Sequence, residues 1–299
     1  MRLHLVDGTF ELFRAHYTKR PGHVAPAGWD AKATVGLAMS LLGLLHDPTE
    51  AVTHVAVAFD NPIRSFRNAL FHGYKTEEGV PPELLSQFDA AEEATRALGV
   101  TVWSMRDFEA DDALATGAAR FRGAVEQVRI LTPDKDLGQC LAGRHVVQVD
   151  RIRKREIDEE ALLARRGIRP ESVPDYLALV GDAADGLPGL PGFGAKTASA
   201  LLARFGHIED IPTDTASWPA TIRGRAQLAS TLQEERSAAL LYRRLATLVT
   251  DVPLREDLQD LRWEGVPRER FERWCDALGA RALLSTLDGW PARWAAHGP

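Results

Sequence analysis

Acidic residues follow the apolar, β-branched segments in the N-terminal half of this chain. These acids, each with the segment before it, are Asp7 after RLHLV, Asp60 after THVAVAF, and Asp134 and Asp136 after QVRIL. If the segments are parallel strands, groups just beyond their carboxyl ends converge on one crevice, where α/β proteins bind ligands. Crowded carboxylates repel one another and protonate unless cations neutralise them. The spacing therefore predicts a divalent-metal site.

The segment FEADDALA adds three further acids, Glu109, Asp111 and Asp112, at a predicted helix start. Such a trio alone is typical of N-capping and of compensation of the helix dipole. Convergence with the strand-end acids favours metal binding instead. Because every candidate ligand is an oxygen, the site favours Mg²⁺ or Mn²⁺ over zinc. Two or more such ions, about 4 Å apart, suit hydrolysis of phosphodiester bonds.

A third constellation lies in GDAADGLPGLPGFGAKTASALL. Two more acids come first, then glycines, then a helix that begins near a Lys-Thr pair: Asp182, Asp185, Gly189, Gly192, Gly194, Lys196 and Thr197. A glycine turn lets backbone N–H groups approach phosphate oxygens, and the helix N-terminus adds a favourable dipole. Gly-Pro-Gly turns between helices are common, but this order couples metal ligands to a turn that binds nucleic-acid backbone.

The elements that must position these residues alternate between strands and helices. Strands are predicted at RLHLV, THVAVAF, GVTVW and QVRIL, with HVVQV as an edge strand, and helices at 33–45, 81–98 and 111–121. This alternation predicts an α/β fold with a central, mostly parallel sheet flanked by helices. The strand signal fades after about residue 155. We expect an α/β core at 1–155, a helical part at 156–287 and a tail at 288–299.

Charge and composition limit the function classes. The net charge of −6 over 299 residues argues against a protein that coats nucleic acid by bulk electrostatics. The basic run Arg151, Arg153, Lys154 and Arg155 is typical of a solvated surface. The N-terminal apolar run is too short for a secretory signal. No segment reaches the 18 uncharged apolar residues of a membrane-spanning helix. The two cysteines lack the spacing of metal ligands. We expect a cytoplasmic, monomeric protein without membrane association.

The motifs together resemble the 5′-nuclease family, which contains flap endonucleases and the 5′→3′ exonuclease domains of bacterial DNA polymerases. The likeness spans residues 1 to about 287, in what resembles the free-standing form. It rests on LVDG, AFDNPIRSFRNALFHGYK, EADD, TPDKDL and GDAADGLPGLPGFGAKTA, in that order. This resemblance implies a structure-selective 5′ nuclease of DNA replication and repair, acting on 5′ flaps, 5′ overhangs or nicks as endonuclease and exonuclease.

The resemblance also implies residue roles. All nine acids match the metal-associated acids of the family, with Asp7, Asp60 and Asp134 as catalytic ligands. Lys75 matches a lysine that approaches the scissile phosphate, and Arg64 and Arg67 are implied to steer the phosphate. Residues 173–205 are implied to form a helix-three-turn-helix module that grips duplex DNA, with K⁺ at the glycine hairpin. An arch is implied over the site, at about 72–98.

The chain departs from the family pattern beside Lys75. Glu78 stands where an arginine is expected, and residues 76–95 contain six acids and no Lys or Arg. Because an acidic segment repels phosphate, we expect weak arch contacts with a 5′ single strand. Two alternatives stay open: a catalytically weakened protein that binds DNA junctions, and a metal phosphohydrolase acting on RNA or small phosphate esters.

Overall fold

The computed structural model describes residues 1–288 and 294–295, so most of the tail predicted at 288–299 lies outside the described residues. Its centre is a six-stranded sheet in the order β3-β2-β1-β4-β5-β6. The strands are β1 (Arg2–Asp7), β2 (His54–Asp60), β3 (Thr101–Met105), β4 (Gln127–Leu131), β5 (Val146–Asp150) and β6 (Arg155–Ile157). Strands β1 to β5 pair in parallel and β6 is antiparallel to β5, which confirms the mostly parallel α/β fold.

The described residues form thirteen α-helices and four short 3₁₀ helices. The α-helices are α1 (Gly8–Tyr17), α2 (Lys32–His46), α3 (Arg67–Leu70), α4 (Pro82–Leu85), α5 (Phe88–Ala97), α6 (Ala110–Phe121), α7 (Glu159–Arg166), α8 (Val173–Val180), α9 (Ala195–Phe205), α10 (Arg225–Glu234), α11 (Arg236–Ala246), α12 (Arg268–Leu278) and α13 (Ala282–Asp288). The 3₁₀ helices are Asp136–Cys140, Pro170–Ser172, Ile208–Asp210 and Thr215–Ser217. None of the described helices is long and apolar enough to cross a membrane.

Both faces of the sheet are covered because alternate side chains of each strand point to opposite faces. In β2, Val55 and Val57 pack in the cluster that contains α1, α2, α5 and α12, whereas Ala56 and Ala58 pack in the cluster that contains α6. Strands β1, β2, β4 and β5 are therefore almost fully buried, as in parallel sheets covered on both faces, whereas β3 is partly buried and β6 is mostly exposed. This burial fixes the positions of the strand ends that carry the acids.

The helical part has an apolar core of its own, formed mainly by α8 to α11. This core extends along the chain from about Ile157 to Ala246, after which Val252 and Leu261 pack against the sheet. Phe271 of α12 then joins the cluster around α2. The predicted division at residue 155 stays a prediction, and the structure adds that the last described helices, α12 and α13, pack against the cluster on the sheet.

Most of the interval 72–98, predicted as an arch, lies in the helical layer on the sheet. The predicted helix at 81–98 is divided into α4 and α5, and both bury apolar residues, Leu84 and Phe88, in the first cluster. On α5, Glu92 is also buried, where Ser104 Oγ donates to it at 2.6 Å. Before α4, Tyr74 packs in the core of the helical part and Val80 packs against the first cluster, so only residues 75–79 between them belong to neither cluster and an arch in this protein would be short.

Candidate active site

Three strand-end acids meet in one cleft of about 730 Å³, which Asp7, Asp60 and Asp134 line. Asp7 caps α1: its Oδ1 accepts a hydrogen bond from the Phe10 N–H at 2.8 Å, and its Oδ2 accepts one from Thr132 at 2.9 Å. Asp60 accepts a hydrogen bond from the Ala110 N–H at 2.7 Å. These bonds hold both carboxylates in fixed orientations and leave further lone pairs for a ligand.

The carboxylates in this cleft favour protonation when no cation neutralises them. Burial raises the pKa of Asp7 to about 7, and the nearby charges of Asp60 and Asp134 add to the shift. Burial also raises the pKa of Asp60 and of Asp134. The pKa of Asp111 lies well above its usual range because of burial and because Asp134 and Asp7 are close. The cluster therefore needs positive charge to remain ionised at neutral pH.

A second group of acids lies beside the first. Asp136, Asp182 and Asp185 each offer a carboxylate oxygen, and these oxygens lie within 4.8 Å of one another. Burial and the charge of Asp134 raise the pKa of Asp136 well above its usual range, and Asp136 Oδ1 is buried without a hydrogen-bond partner. An unpartnered buried oxygen in an all-oxygen donor set fits a hard divalent cation such as Mg²⁺ or Mn²⁺.

Lys75 connects the cleft to both acidic segments. Its ammonium lies 3.0 Å from Glu109 Oε2 and 2.9 Å from Asp185 Oδ1, and its side chain lines the cleft. Burial lowers the pKa of Lys75, but the two carboxylates outweigh that effect and hold it well above its usual value. Lys75 is therefore a fixed positive charge at the site, and its role beside the scissile phosphate stays a prediction.

Glu109 is held by side chains from several segments. Ser65 donates to its Oε1 at 2.6 Å, Tyr74 donates to its Oε2 at 3.2 Å, and Arg67 and Lys75 form ion pairs with it. Burial raises the pKa of Glu109, but the two cations outweigh it and lower the pKa overall. Glu109 is thus ionised without a metal, and its role as a metal ligand stays a prediction.

Two expectations from the sequence are corrected by the buried ion pair between Arg67 and Asp112. Both residues have fully buried side chains, and Arg67 Nη1 and Nη2 each donate to Asp112 at 2.7 Å. Asp112 also accepts hydrogen bonds from the Glu109 and Val249 N–H groups. Arg67 cannot reach a DNA phosphate and Asp112 has no free oxygen for a metal, so both residues stabilise the fold at the start of α6.

Most of the other predicted DNA-binding residues lie at or near the surface. Arg64 is exposed and pairs with Glu77 at 3.1 Å. In the glycine turn, Gly192, Gly194 and Lys196 are exposed and Thr197 is half-buried at the start of α9. These positions are compatible with phosphate binding, which stays a prediction.

Gly189 is required by the fold of the glycine turn itself. Its φ is +70°, and a Cβ there would lie 2.6 Å from the backbone nitrogen of Gly181. A side chain at this position would separate the glycine turn from the end of α8.

Sequence reasoning missed several residues that hold the acids in place. Thr132 donates to Asp7, Tyr74 donates to Glu109, and Lys135 pairs with Asp182. Gln148 Nε2 donates to the Thr132 and Asp134 carbonyls and fixes the loop after β4. Gln148 carried a usable signal, because it is the one polar residue within the run VVQV at 146–149.

Comparisons with known proteins agree over most of the chain. Residues 2–167 match the family described as 5′-3′ exonuclease, N-terminal resolvase-like domain, and residues 168–269 match 5′-3′ exonuclease, C-terminal SAM fold. The chain is 34% identical to DNA polymerase I of Bacillus caldotenax over 293 residues, which are 96% of this chain and 32% of that protein. The chain thus spans about a third of the length of the curated relatives it matches.

Solved structures share the fold at low sequence identity. A T5 5′-exonuclease with bound zinc ions has a TM-score of 0.64 and 18% identity, with 97% of each chain covered. A bacteriophage T5 flap endonuclease in complex with DNA and metal ions has a TM-score of 0.61 and 18% identity, covering 97% of this chain and 96% of that one.

Proposed function

Because this chain belongs to the 5′-3′ exonuclease family, we propose that it is a structure-selective 5′ nuclease. Its substrates are DNA molecules that carry a 5′ flap, a 5′ overhang or a nick, and its activities are those of a flap endonuclease and a 5′→3′ exonuclease. The observation that carries this proposal is the cleft at the carboxyl ends of the sheet, where buried acids and Lys75 meet. Relatives of the polymerase I type support a role in DNA replication and repair.

Two or more Mg²⁺ or Mn²⁺ ions are the proposed cofactors. Asp7, Asp60, Asp111 and Asp134 would hold one ion, and Asp136, Asp182 and Asp185 the other. The bound ions would supply an activated water and stabilise negative charge at phosphorus.

The protein's own residues orient the reacting groups. Thr132 and the Phe10 N–H hold the Asp7 carboxylate, and the Ala110 N–H holds that of Asp60. The Lys75 ammonium, fixed between Glu109 and Asp185, donates to a phosphate oxygen as charge develops there. A monomer is the proposed active form.

The helical part is proposed to grip duplex DNA next to the cleft. Helices α8 and α9 flank the glycine turn, so residues 173–205 are candidates for a helix-three-turn-helix module. Gly189, Gly192 and Gly194 would form the hairpin, in which backbone carbonyls can bind K⁺. Lys196 and Thr197 would contact phosphate at the N-terminus of α9.

A labelled 5′-flap DNA incubated with Mg²⁺ or Mn²⁺ tests this proposal. The wild-type protein should release the flap, whereas Asp134→Asn should reduce cleavage by at least about 100-fold, because it removes a charge from the metal site. Its DNA affinity in chelator and its thermal unfolding should stay close to wild type. Binding without cleavage by the wild type would favour a junction-binding protein, and cleavage of RNA or small phosphate esters alone would favour a different phosphohydrolase.

A further inference from the structure

The active-site cleft is also lined by arginines to which the proposed chemistry gives no role. Besides the acids, the cleft is lined by Arg153 from the β5–β6 turn, by Arg155 at the start of β6, and by Arg165 and Arg166 from the end of α7. We call these four residues the arginine wall. The cleft thus combines a set of acids that attracts cations with a set of arginines that attracts anions.

The β5–β6 turn holds Arg153 in place. Asp150 accepts hydrogen bonds from the Ile152 and Arg153 N–H groups at 3.1 and 2.9 Å, and its other oxygen pairs with Arg153 Nη1 at 2.9 Å. Arg151 anchors the turn to α2 through Ser40, to which it donates at 3.0 Å. Of this basic run, Arg151 is therefore structural, whereas Arg155 is exposed and pairs through its side chain with no other described residue.

The last turn of α7 carries the other two arginines. Arg165 is exposed, and its side chain forms no ion pair with any described residue. The Arg166 guanidinium lies 5.4 Å from the ring centroid of Tyr176, which fixes its direction, and its Nη1 is buried without a hydrogen-bond partner. Cations in the last turn of a helix also offset the helix dipole. That effect explains basic residues at this helix end but not their position in the same cleft as the β5–β6 turn.

The size and the aromatic lining of the cleft indicate which kind of nucleic acid it binds. Its volume of about 730 Å³ is within the range of pockets that hold single small molecules, about 300–1,000 Å³, so the cleft suits a short stretch of unpaired strand better than the body of a duplex. Phe10 and Phe13 also line the cleft and are half-buried, so they offer aromatic faces on which unpaired bases can stack. Proteins that bind single-stranded nucleic acid typically combine cationic side chains, which contact the phosphates, with aromatic rings, on which the bases stack.

We propose that the arginine wall binds the backbone phosphates of the unpaired 5′ strand of a DNA substrate. This inference rests on the proposed function and names the part of the substrate that enters the cleft. It also explains how a chain with an acidic segment at residues 76–95 can hold such a strand. The positive charge which that segment lacks is supplied from the β5–β6 turn and α7.

The test measures binding in chelator, where no cleavage can occur. Fluorescence anisotropy compares a duplex that has a ten-nucleotide 5′ tail with a blunt duplex of the same sequence. The wild type should bind the tailed DNA more tightly. Arg155→Ala/Arg165→Ala should weaken binding of the tailed DNA by at least about tenfold and leave the blunt duplex unchanged. The slope of log K against log salt for the tailed DNA should fall by about 1.4, or 0.7 for each lost contact.

Two further variants serve as controls. Arg122→Ala removes an exposed arginine beyond the far end of α6 and should change neither substrate's affinity. Arg155→Lys/Arg165→Lys retains the charges and should restore most of the affinity. Equal losses on tailed and blunt DNA, or a loss no larger than that of Arg122→Ala, would overturn the inference.

Cleavage is assayed separately with Mn²⁺ on the same tailed DNA. A wild-type protein that prefers the tail through these arginines, yet does not cut, would refute the nuclease proposal and support the arginine wall. A protein that cuts tailed DNA but shows no tail preference in chelator would refute the arginine wall and leave the nuclease proposal intact.

Discussion

Lys75 is the residue at which the ion-pair network of the fold meets the proposed chemistry. Two carboxylates hold its ammonium, so the charge is placed before any substrate binds. Preorganised charge of this kind needs little rearrangement as the transition state forms. The same contacts make Lys75 a link between the start of α6 and the loop that carries Asp185.

Lys75→Ala is therefore predicted to slow the chemical step, by about 100-fold in a single-turnover assay, because it removes a fixed donor beside the phosphate. The exposed lysine variant Lys19→Ala should retain the wild-type rate. If Lys75→Ala weakens DNA affinity but leaves the single-turnover rate unchanged, Lys75 contributes to binding alone.

Arg67 has a different role, since its buried guanidinium is paired with acidic side chains of the protein itself and is not free to bind a ligand. The guanidinium donates to both oxygens of Asp112 and to the Leu245 carbonyl at 2.8 Å, so it joins α3, α6 and the end of α11. An arginine is suited to this position because its planar group bonds a carboxylate through two parallel hydrogen bonds.

Arg67→Ala is predicted to lower the free energy of unfolding by about 3–5 kcal/mol, because it leaves the Asp112 charge buried without a partner. Urea denaturation measures this change. Arg64→Ala, which breaks only an exposed pair with Glu77, should cost less than about 1 kcal/mol. Similar losses for the two variants would show that the Asp112 carboxylate finds another partner or water.

At the scale of elements, the acidic loop after α8 is tied to the segment that carries Lys75. The Lys75 N–H donates to the Asp185 carbonyl at 3.1 Å. Gly186 comes so close to this segment that a Cβ would lie 2.1 Å from the Gly73 carbonyl oxygen. This approach requires a glycine, and it brings the second acidic group to the first.

Gly186→Ala is predicted to displace the loop and to reduce the single-turnover rate, because Asp185 would move away from Lys75. The conformational strain alone costs about 1–3 kcal/mol. Gly79→Ala is a matched control: its φ of +82° is close to the +76° of Gly186, but no atom lies within 4 Å of its added Cβ. A rate loss of equal size in Gly79→Ala would mean that the close contact at Gly186 is unimportant for activity.

At the scale of the whole molecule, the fold places mutually repelling aspartates close together at the carboxyl edge of its sheet. Burial raises the pKa of Asp7 to about 7, and the pKa values of Asp60, Asp111, Asp134 and Asp136 are raised in the same direction. A carboxyl group with a raised pKa favours the folded state while it is protonated. That contribution is complete below the unfolded pKa of about 3.9 and is lost as the pH rises through the folded value.

In chelator, the protein is therefore predicted to unfold at a lower temperature at pH 8 than at pH 6, with Asp7 alone contributing roughly 1 kcal/mol. Added Mg²⁺ or Mn²⁺ should raise the unfolding temperature most at pH 8, because a cation binds the ionised carboxylates. Calorimetry at both pH values, with Asp7→Asn as the comparison, measures the effect. An unfolding temperature in chelator that rises from pH 6 to pH 8, equally in both proteins, would contradict this account.

Much of the architecture could be predicted because it depends on local patterns. Five of the strands and the helix of residues 33–45 were predicted within about two residues, since apolar periodicity follows directly from burial. Helix α1 was not predicted, because the Asp7-Gly8 pair at its start is typical of a turn rather than of a helix. The strand β6 was missed because REI is short, exposed and charged, so it carries no apolar pattern.

The sequence by itself determined the fold class, the order of the motifs and the convergence of the strand-end acids, since all of these follow from the direction of parallel strands. Only the tertiary structure decided which charges are free. Arg64 and Arg67 are three residues apart, yet one is exposed and the other is fully buried against Asp112. Whether a charge meets solvent, a metal or an opposite charge depends on segments that are distant in the sequence, and one-dimensional spacing does not encode those contacts.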